Sequence, residues 1–289
     1  MMNKTNVQLL LLPYDSGHRN LRMGRGPEHF LQNGLVEVLQ SQGHEVFIST
    51  IEPQREFRAE VATQFELYGY AAEHIAQARQ NGRFPLILSG NCGATLGALA
   101  GAGSKQLGVV WFDAHGEFNT PETTTSGFLD GMGLAVATGL CWKNLADSIP
   151  NFHPIAAERI LLIGGRDFDA GEQERLEQAG ATVVDCAAVE QIGIANALDT
   201  PLSELASRVE EVHLHIDLDV LNPKEAPANG FLMDESGLSV QQLREAIALI
   251  QERSKITSAT IASFDPTYDS QGQTLQAAIE FIKQIVNSE

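Results

Sequence analysis

The feature that most narrows how this chain can fold is a repeated alternation. Short apolar runs recur at residues 7–12, 45–50, 85–89, 107–113, 159–164, 182–185, 212–217 and 257–264. Between them lie amphipathic stretches of helical period, such as 57–79, 172–179, 202–210 and 240–252. Strands alternating with helices build βαβ units and a parallel sheet. The runs Leu9-Leu10-Leu11-Leu12 and Val109-Val110-Trp111-Phe112 are apolar at every position, as strands covered on both faces must be. No Pro/Gly/Ser-rich linker and no internal repeat divides the 289 residues, so the pattern predicts one α/β domain over 1–289. Sheets of this kind bind ligands beyond the carboxyl ends of their strands. The residues that follow each run are therefore where function should be sought.

Charge restricts that function. Lys and Arg number 19 against 37 Asp and Glu, a net charge of −18. A surface this acidic repels phosphate, which argues against nucleic acid and anionic membranes and leaves cationic or neutral small molecules and metal ions. The three cysteines, Cys92, Cys141 and Cys186, are too few and too scattered for a disulfide framework. No apolar run reaches the ~18–20 residues of a membrane helix. The apolar run near the start ends in Pro13-Tyr14-Asp15 and reads as a first strand rather than a signal peptide, so a cytoplasmic protein is expected.

Three run ends carry chemistry. The fourth run leads into Asp113-Ala114-His115-Gly116-Glu117. In an extended chain these three polar side chains share one side, and carboxylates with imidazole suit Mn, Fe or Zn. A solvated turn with a capping Asp is the alternative. The seventh run reads Val212-His213-Leu214-His215-Ile216-Asp217-Leu218-Asp219. If the strand stays regular, two carboxylates share one buried face with no basic residue in the strand. Unpaired buried carboxylates are costly, and a bound cation removes that cost. His213 and His215 read as hydrogen-bonded core histidines. The third run leads into Gly90-Asn91-Cys92-Gly93, a tight turn that lacks the Lys-Ser/Thr of a phosphate loop. Cys92 lies near a helix start, where thiolate is favoured. Cys141 and Cys186 read as structural. A carboxylate-rich site of this kind suits two cations ~3.5–4 Å apart that activate a water for hydrolysis.

Together these segments resemble the ureohydrolase superfamily of arginases, agmatinases and formiminoglutamases. The likeness runs from Pro13-Tyr14-Asp15-Ser16-Gly17 to Asp265-Pro266-Thr267-Tyr268-Asp269. Its strongest parts are Trp111-Phe112-Asp113-Ala114-His115 with the segment Asn119 to Gly127, His215-Ile216-Asp217-Leu218-Asp219 with Pro223, and Gly165-Arg166-Asp167-Phe168-Asp169-Ala170-Gly171-Glu172. The resemblance implies a three-layer α/β/α domain around an eight-stranded, mostly parallel sheet. It also implies two Mn²⁺ ions and a hydroxide that attacks a guanidinium or formimino carbon. Carried over residue by residue, one metal takes Cys92, Asp113, Glu117 and Asp217, and the other Asp113, His115, Asp217 and Asp219. Asn119 and Ser126 fall where the family binds an α-carboxylate, Asp169 where it binds an α-amino group, and Glu172 beside that pocket. Family members are often trimers or hexamers, so a homo-oligomer is compatible.

The departures define what is unusual. Cys92 stands where the family usually has His, and thiolate shifts metal preference from Mn toward Fe, Zn or Ni. A similar exchange occurs in relatives acting on Nω-hydroxyarginine. Glu117 replaces an Asp, Phe128 an Asn of the carboxylate site, Asp130 a proton-shuttling His, and Ser263 a Glu that pairs with the guanidinium. Asp130 or Asp265 could supply the missing anion. The expected activity is hydrolysis of a C–N bond in a linear amidine. The leading substrate is an arginine-type side chain, free, Nω-modified or within a peptide, giving ornithine plus urea or a substituted urea, with Asp113 and Asp130 as catalytic residues. Agmatine, a guanidino acid or a formimino compound is the alternative substrate. The alternative function is a catalytically silent metal binder acting as sensor or scaffold.

Overall fold

The computed structural model describes residues 5–104, 106–231 and 236–287. Each of the eight apolar runs overlaps one strand. These are β1 (Asn6–Leu12), β2 (Glu45–Thr50), β3 (Phe84–Ser89), β4 (Leu107–Phe112), β5 (Ile160–Ile163), β6 (Thr182–Val184), β7 (Glu211–Asp217) and β8 (Lys255–Ala262). They form one sheet in the order β2-β1-β3-β8-β7-β4-β5-β6. All seven pairings are parallel. The sheet is thus parallel throughout, and every strand presents its carboxyl end at the same edge.

Side chains at successive positions feed opposite faces. Leu9, Leu11, Val110 and Phe112 pack into one core, and Leu10, Leu12, Val109 and Trp111 into the other. The first core is covered by helices that include α4 (Ile194–Arg208), α5 (Val240–Arg253) and α6 (Gln273–Val286), and the second by α1 (Glu60–Gln80), α2 (Thr95–Ala102) and α3 (Glu172–Ala179). This is the three-layer α/β/α arrangement. Helix α4 begins eight residues before the stretch read from sequence, because Pro201 lies inside it without ending it. Helix α5 starts at a capping box, in which the Ser239 side chain accepts from Gln242 N and Gln242 reaches back to Ser239 N.

Four neighbouring strands, β3-β8-β7-β4, occupy the sheet centre and deliver the chemistry. Their carboxyl ends run into Cys92, Ser263, Asp217 and Asp113. Among the described residues no helix is long and apolar enough to cross a membrane.

Candidate metal centre

Asp113 is the hub. It follows β4 directly and is fully buried. Its Oδ1 accepts from the His115 backbone N–H at 2.8 Å and lies 3.2 Å from His115 Nδ1. Its Oδ2 accepts from the Trp111 indole N–H at 2.9 Å. The sequence marks Trp111 only as a core residue of the strand. The period-two spacing that aligns it with Asp113 was the signal available in the sequence.

His115 and Glu117 do not arrive along a regular strand. The strand stops at Phe112, His115 makes an isolated parallel bridge to Asp167, and Glu117 adopts φ 54°. A left-handed backbone at a non-glycine residue is strained, and such strain concentrates at sites that need a side chain aimed. Glu117 is buried, and its Oε2 has no partner. Gly116 permits the close packing here, since a Cβ would lie 2.6 Å from the Glu172 carboxyl carbon.

Asp217 ends β7, and its side chain caps the following 3-10 turn by accepting from Asp219 N at 2.8 Å. Asp219 therefore reaches the centre through that turn, not along the extended strand assumed from sequence. Its Oδ2 lies 3.6 Å from His115 Nδ1. His213 is a satisfied core histidine, bonded to Ser258 Oγ at 2.8 Å and Thr260 Oγ1 at 3.1 Å. His215 is only half satisfied. Its Nδ1 bonds Thr95 Oγ1 at 2.7 Å, while Nε2 is buried without a partner.

Cys92 opens a 3-10 turn before α2 and is buried. Its Sγ lies 2.8 Å from Asp217 Oδ2 and 3.3 Å from Ser263 Oγ. The expectation of a favoured thiolate needs correction. Burial first, then the charges of Asp217, Asp130, Asp113 and Glu117, push the thiol pKa well up. Only a cation at this point would deprotonate it. Ser263, at φ 64°, is also left-handed.

The same electrostatics run through the group. Burial, with repulsion from Asp219, raises the Asp113 carboxyl pKa against the pull of His115. Burial and repulsion from Asp113, Asp130 and Asp217 raise Glu117 far above the carboxylate range. Asp217 is raised likewise by burial, Asp219 and Asp113. Burial disfavours the His115 cation, yet Asp219, Asp113 and Asp217 outweigh it and push the pKa up to about 10. Buried like charges of this density, with an orphaned carboxylate oxygen at Glu117, fit a site built for divalent cations. Three groups have ligand atoms mutually within 4.8 Å: Asp113–His115–Glu117, Asp113–Asp217–Asp219 and Cys92–Asp113–His215. They bring all six expected ligands together around Asp113. They do not reproduce the two expected sets one for one, because His115 groups with Glu117, and His215 joins Cys92.

A cavity of about 360 Å³ opens over this cluster. Its wall includes Asn119, Ser126, Asp130, Asp169 and Glu172, together with Arg22, Phe128 and Phe231. Asp130 is buried, with Oδ2 accepting from Asn91 Nδ2 and Cys92 N, each at 2.9 Å, and Oδ1 from Gly93 N at 2.8 Å. Burial pushes its pKa up to about 7 against those three donors. Asp265 does not line the cavity. It accepts from Thr267 N and Oγ1 at 3.0 and 2.7 Å.

A model of the arginase family matches residues 5–287. The chain belongs to the arginase family. Arginase from Bacillus caldovelox is 30% identical over 94% of this chain and 95% of its own. Arginase from Bacillus subtilis is 28% identical over 99% and 98%. The solved B. caldovelox arginase matches with a TM-score of 0.90 at 28% identity over 99% of both chains. Formimidoylglutamase from B. subtilis shares the fold, with a TM-score of 0.76 at 16% identity over 100% of this chain and 88% of that one.

Within this arginase-family fold the Asn119 loop is tied to the Asp169 loop. Asn119 Nδ2 donates to Asp169 Oδ2 at 2.9 Å and to Glu172 Oε1 at 3.1 Å, and its Oδ1 accepts from Arg175 Nη2 at 3.0 Å. Glu172 is a brace, accepting from Phe118 N and Asp169 N. Ser126 is exposed and accepts from Phe128 N at 3.2 Å. Sequence reasoning missed Arg22, the one Lys or Arg side chain in the cavity wall among the described residues. Buried Asp15 holds it with paired bonds of 2.9 and 2.7 Å. No local pattern flags it, because it reaches the site through the fold.

Proposed function

We propose that residues 1–289 form one hydrolase domain that cleaves a C–N bond of a linear amidine. Its substrate is an arginine-type guanidino compound, and its products are ornithine plus urea or a substituted urea. The convergence of Cys92, Asp113, His115, Glu117, Asp217 and Asp219 beneath one cavity carries this reading. These six residues would hold two divalent ions, with Asp113 and Asp217 shared between them. Mn²⁺ is the family's metal, and the Cys92 sulfur makes Fe, Zn or Ni competitors. Bound there, the ions would supply a water acidic enough to serve as hydroxide near neutral pH.

The chain's own groups do the rest. The acidic wall attracts the guanidinium and orients its carbon toward the cluster. Asp130 lines the cavity where Asp265 does not, and Ser263 is uncharged, which supports Asp130 as the group beside the reacting guanidinium. A carboxyl group with a pKa of about 7 can hand a proton to the leaving amine at neutral pH. Asp169, Asn119 and Ser126 lie farther along the wall, where the amino-acid end of the substrate would rest. Three unpaired cysteines support a cytoplasmic setting.

The test is urea or ammonia release from arginine, hydroxyarginine, agmatine, guanidinobutyrate and an arginine-containing peptide, after loading with Mn, Fe, Zn or Ni. Release that Asp217→Ala abolishes supports the proposal. No release from any of them by metal-loaded protein overturns it in favour of a silent metal binder.

A further inference from the structure

His213 and His215 sit two residues apart on one face of β7, and their surroundings differ in kind. Ser258 and Thr260 satisfy both ring nitrogens of His213. His215 is equally buried, yet only Nδ1 is engaged, by the Thr95 hydroxyl at 2.7 Å. Its Nε2 has no partner among the described residues. The Trp111 indole stacks on its face at 3.7 Å between ring centres, 23° from parallel, which fixes the ring plane and leaves its edge free. That same indole holds Asp113 Oδ2. A ring nitrogen of His215, the Cys92 sulfur and an Asp113 oxygen lie mutually within 4.8 Å.

We propose that His215 is a metal ligand that completes, with Cys92 and Asp113, a sulfur–nitrogen–oxygen corner at the deep end of the centre. The inference rests on the reading that this centre holds divalent ions. If Nδ1–H donates to Thr95, the Nε2 lone pair is free for the metal, and the hydroxyl fixes both tautomer and ring orientation. Thiolate, imidazole and carboxylate together match the donor set of tetrahedral Zn²⁺. Mn²⁺ prefers oxygen donors and octahedral geometry, so this corner selects against it. Cys92 and His215 thus act jointly, and the position deepest in the site takes the softer ion.

The experiment measures Zn²⁺ and Mn²⁺ affinity by competition with a chelating dye in wild type, His215→Gln and Cys92→Ser. The Gln amide can keep a bond to Thr95 but supplies no imidazole. Each substitution should weaken Zn²⁺ binding about 10–100-fold and Mn²⁺ binding far less. X-ray absorption of zinc-loaded wild type, which needs no variant to fold, should show sulfur at ~2.3 Å and, averaged over two zinc ions, about one imidazole per zinc, supplied by His115 and His215. Unchanged Zn²⁺ affinity in His215→Gln, or only about half an imidazole per zinc in the wild-type spectrum, overturns the assignment and leaves the hydrolase reading standing. Wild type that binds neither metal overturns both.

Discussion

The Trp111 indole N–H donates to Asp113 Oδ2 at 2.9 Å while the face of the same ring lies against His215. One side chain thus orients the carboxylate shared by all three ligand groups. Trp111→Phe keeps a ring against His215 and removes the donor. Metal affinity should fall about 10–100-fold, as losses of hydrogen bonds to ligands do, and the metal-free protein should melt lower, because the smaller ring leaves a void and a buried carboxylate oxygen without its donor. Titration calorimetry beside thermal denaturation checks both.

Function and stability oppose each other at Asp217. Without a cation, burial and then the charges of Asp219 and Asp113 hold its carboxyl pKa well above the usual carboxylate range, so the charged form is costly there. Asp217→Asn removes that cost and should raise the denaturation midpoint of metal-free protein at pH 7. It should also abolish the rise in melting temperature that divalent ions give the wild type. Denaturant melts with and without chelator read both effects.

Asp113, Glu117 and Asp217 all hold protons more tightly when folded than in the unfolded chain. The folded state therefore binds more protons. In chelator, their stabilising contribution is full below the ordinary carboxylate range and is lost as pH rises through the raised folded values. Saturating metal replaces those protons, and metal affinity rises with pH. Melting temperature in chelator should fall as pH rises above the ordinary carboxylate range, and fall much less with metal bound.

How far the site could be read from sequence follows from how local each cause is. Asp113 and Asp217 stood out because carboxylates beside dry strands need a partner, and the chain offered none nearby. Glu117 and Asp219 come beside them for a different reason than strand alternation: a left-handed residue and a 3-10 turn aim them. His215 looked like its neighbour His213, since only the fold reveals which ring nitrogen goes unpartnered. Arg22 could not be linked to the cavity, because the segment that carries Asp15 and the sheet edge that carries Asp113 meet only in three dimensions. The eight strands were legible because a buried parallel sheet needs uninterrupted apolar runs.

Arg22 predicts selectivity at the far end of the substrate. Its guanidinium lies 6.0 Å from the Phe128 ring, and Phe128 stands 5.8 Å from Phe231. A wall of carboxylates with one fixed cation favours a substrate whose tail bears a carboxylate. Arg22→Gln should raise KM for such a substrate about 10–100-fold, the scale of one charge-assisted hydrogen bond, with kcat little changed. KM for agmatine, which lacks the carboxylate, should not rise. Steady-state kinetics on the two substrates separate these outcomes.

The most direct test of the account is the position of metal ions in crystals grown with Mn²⁺ or Zn²⁺, located by anomalous scattering. The account predicts two ions about 3.5–4 Å apart, with Asp113 and Asp217 touching both. Crystals with no ion at this edge of the sheet, or with ions held by other residues while Asp113 and Asp217 turn away, would contradict it.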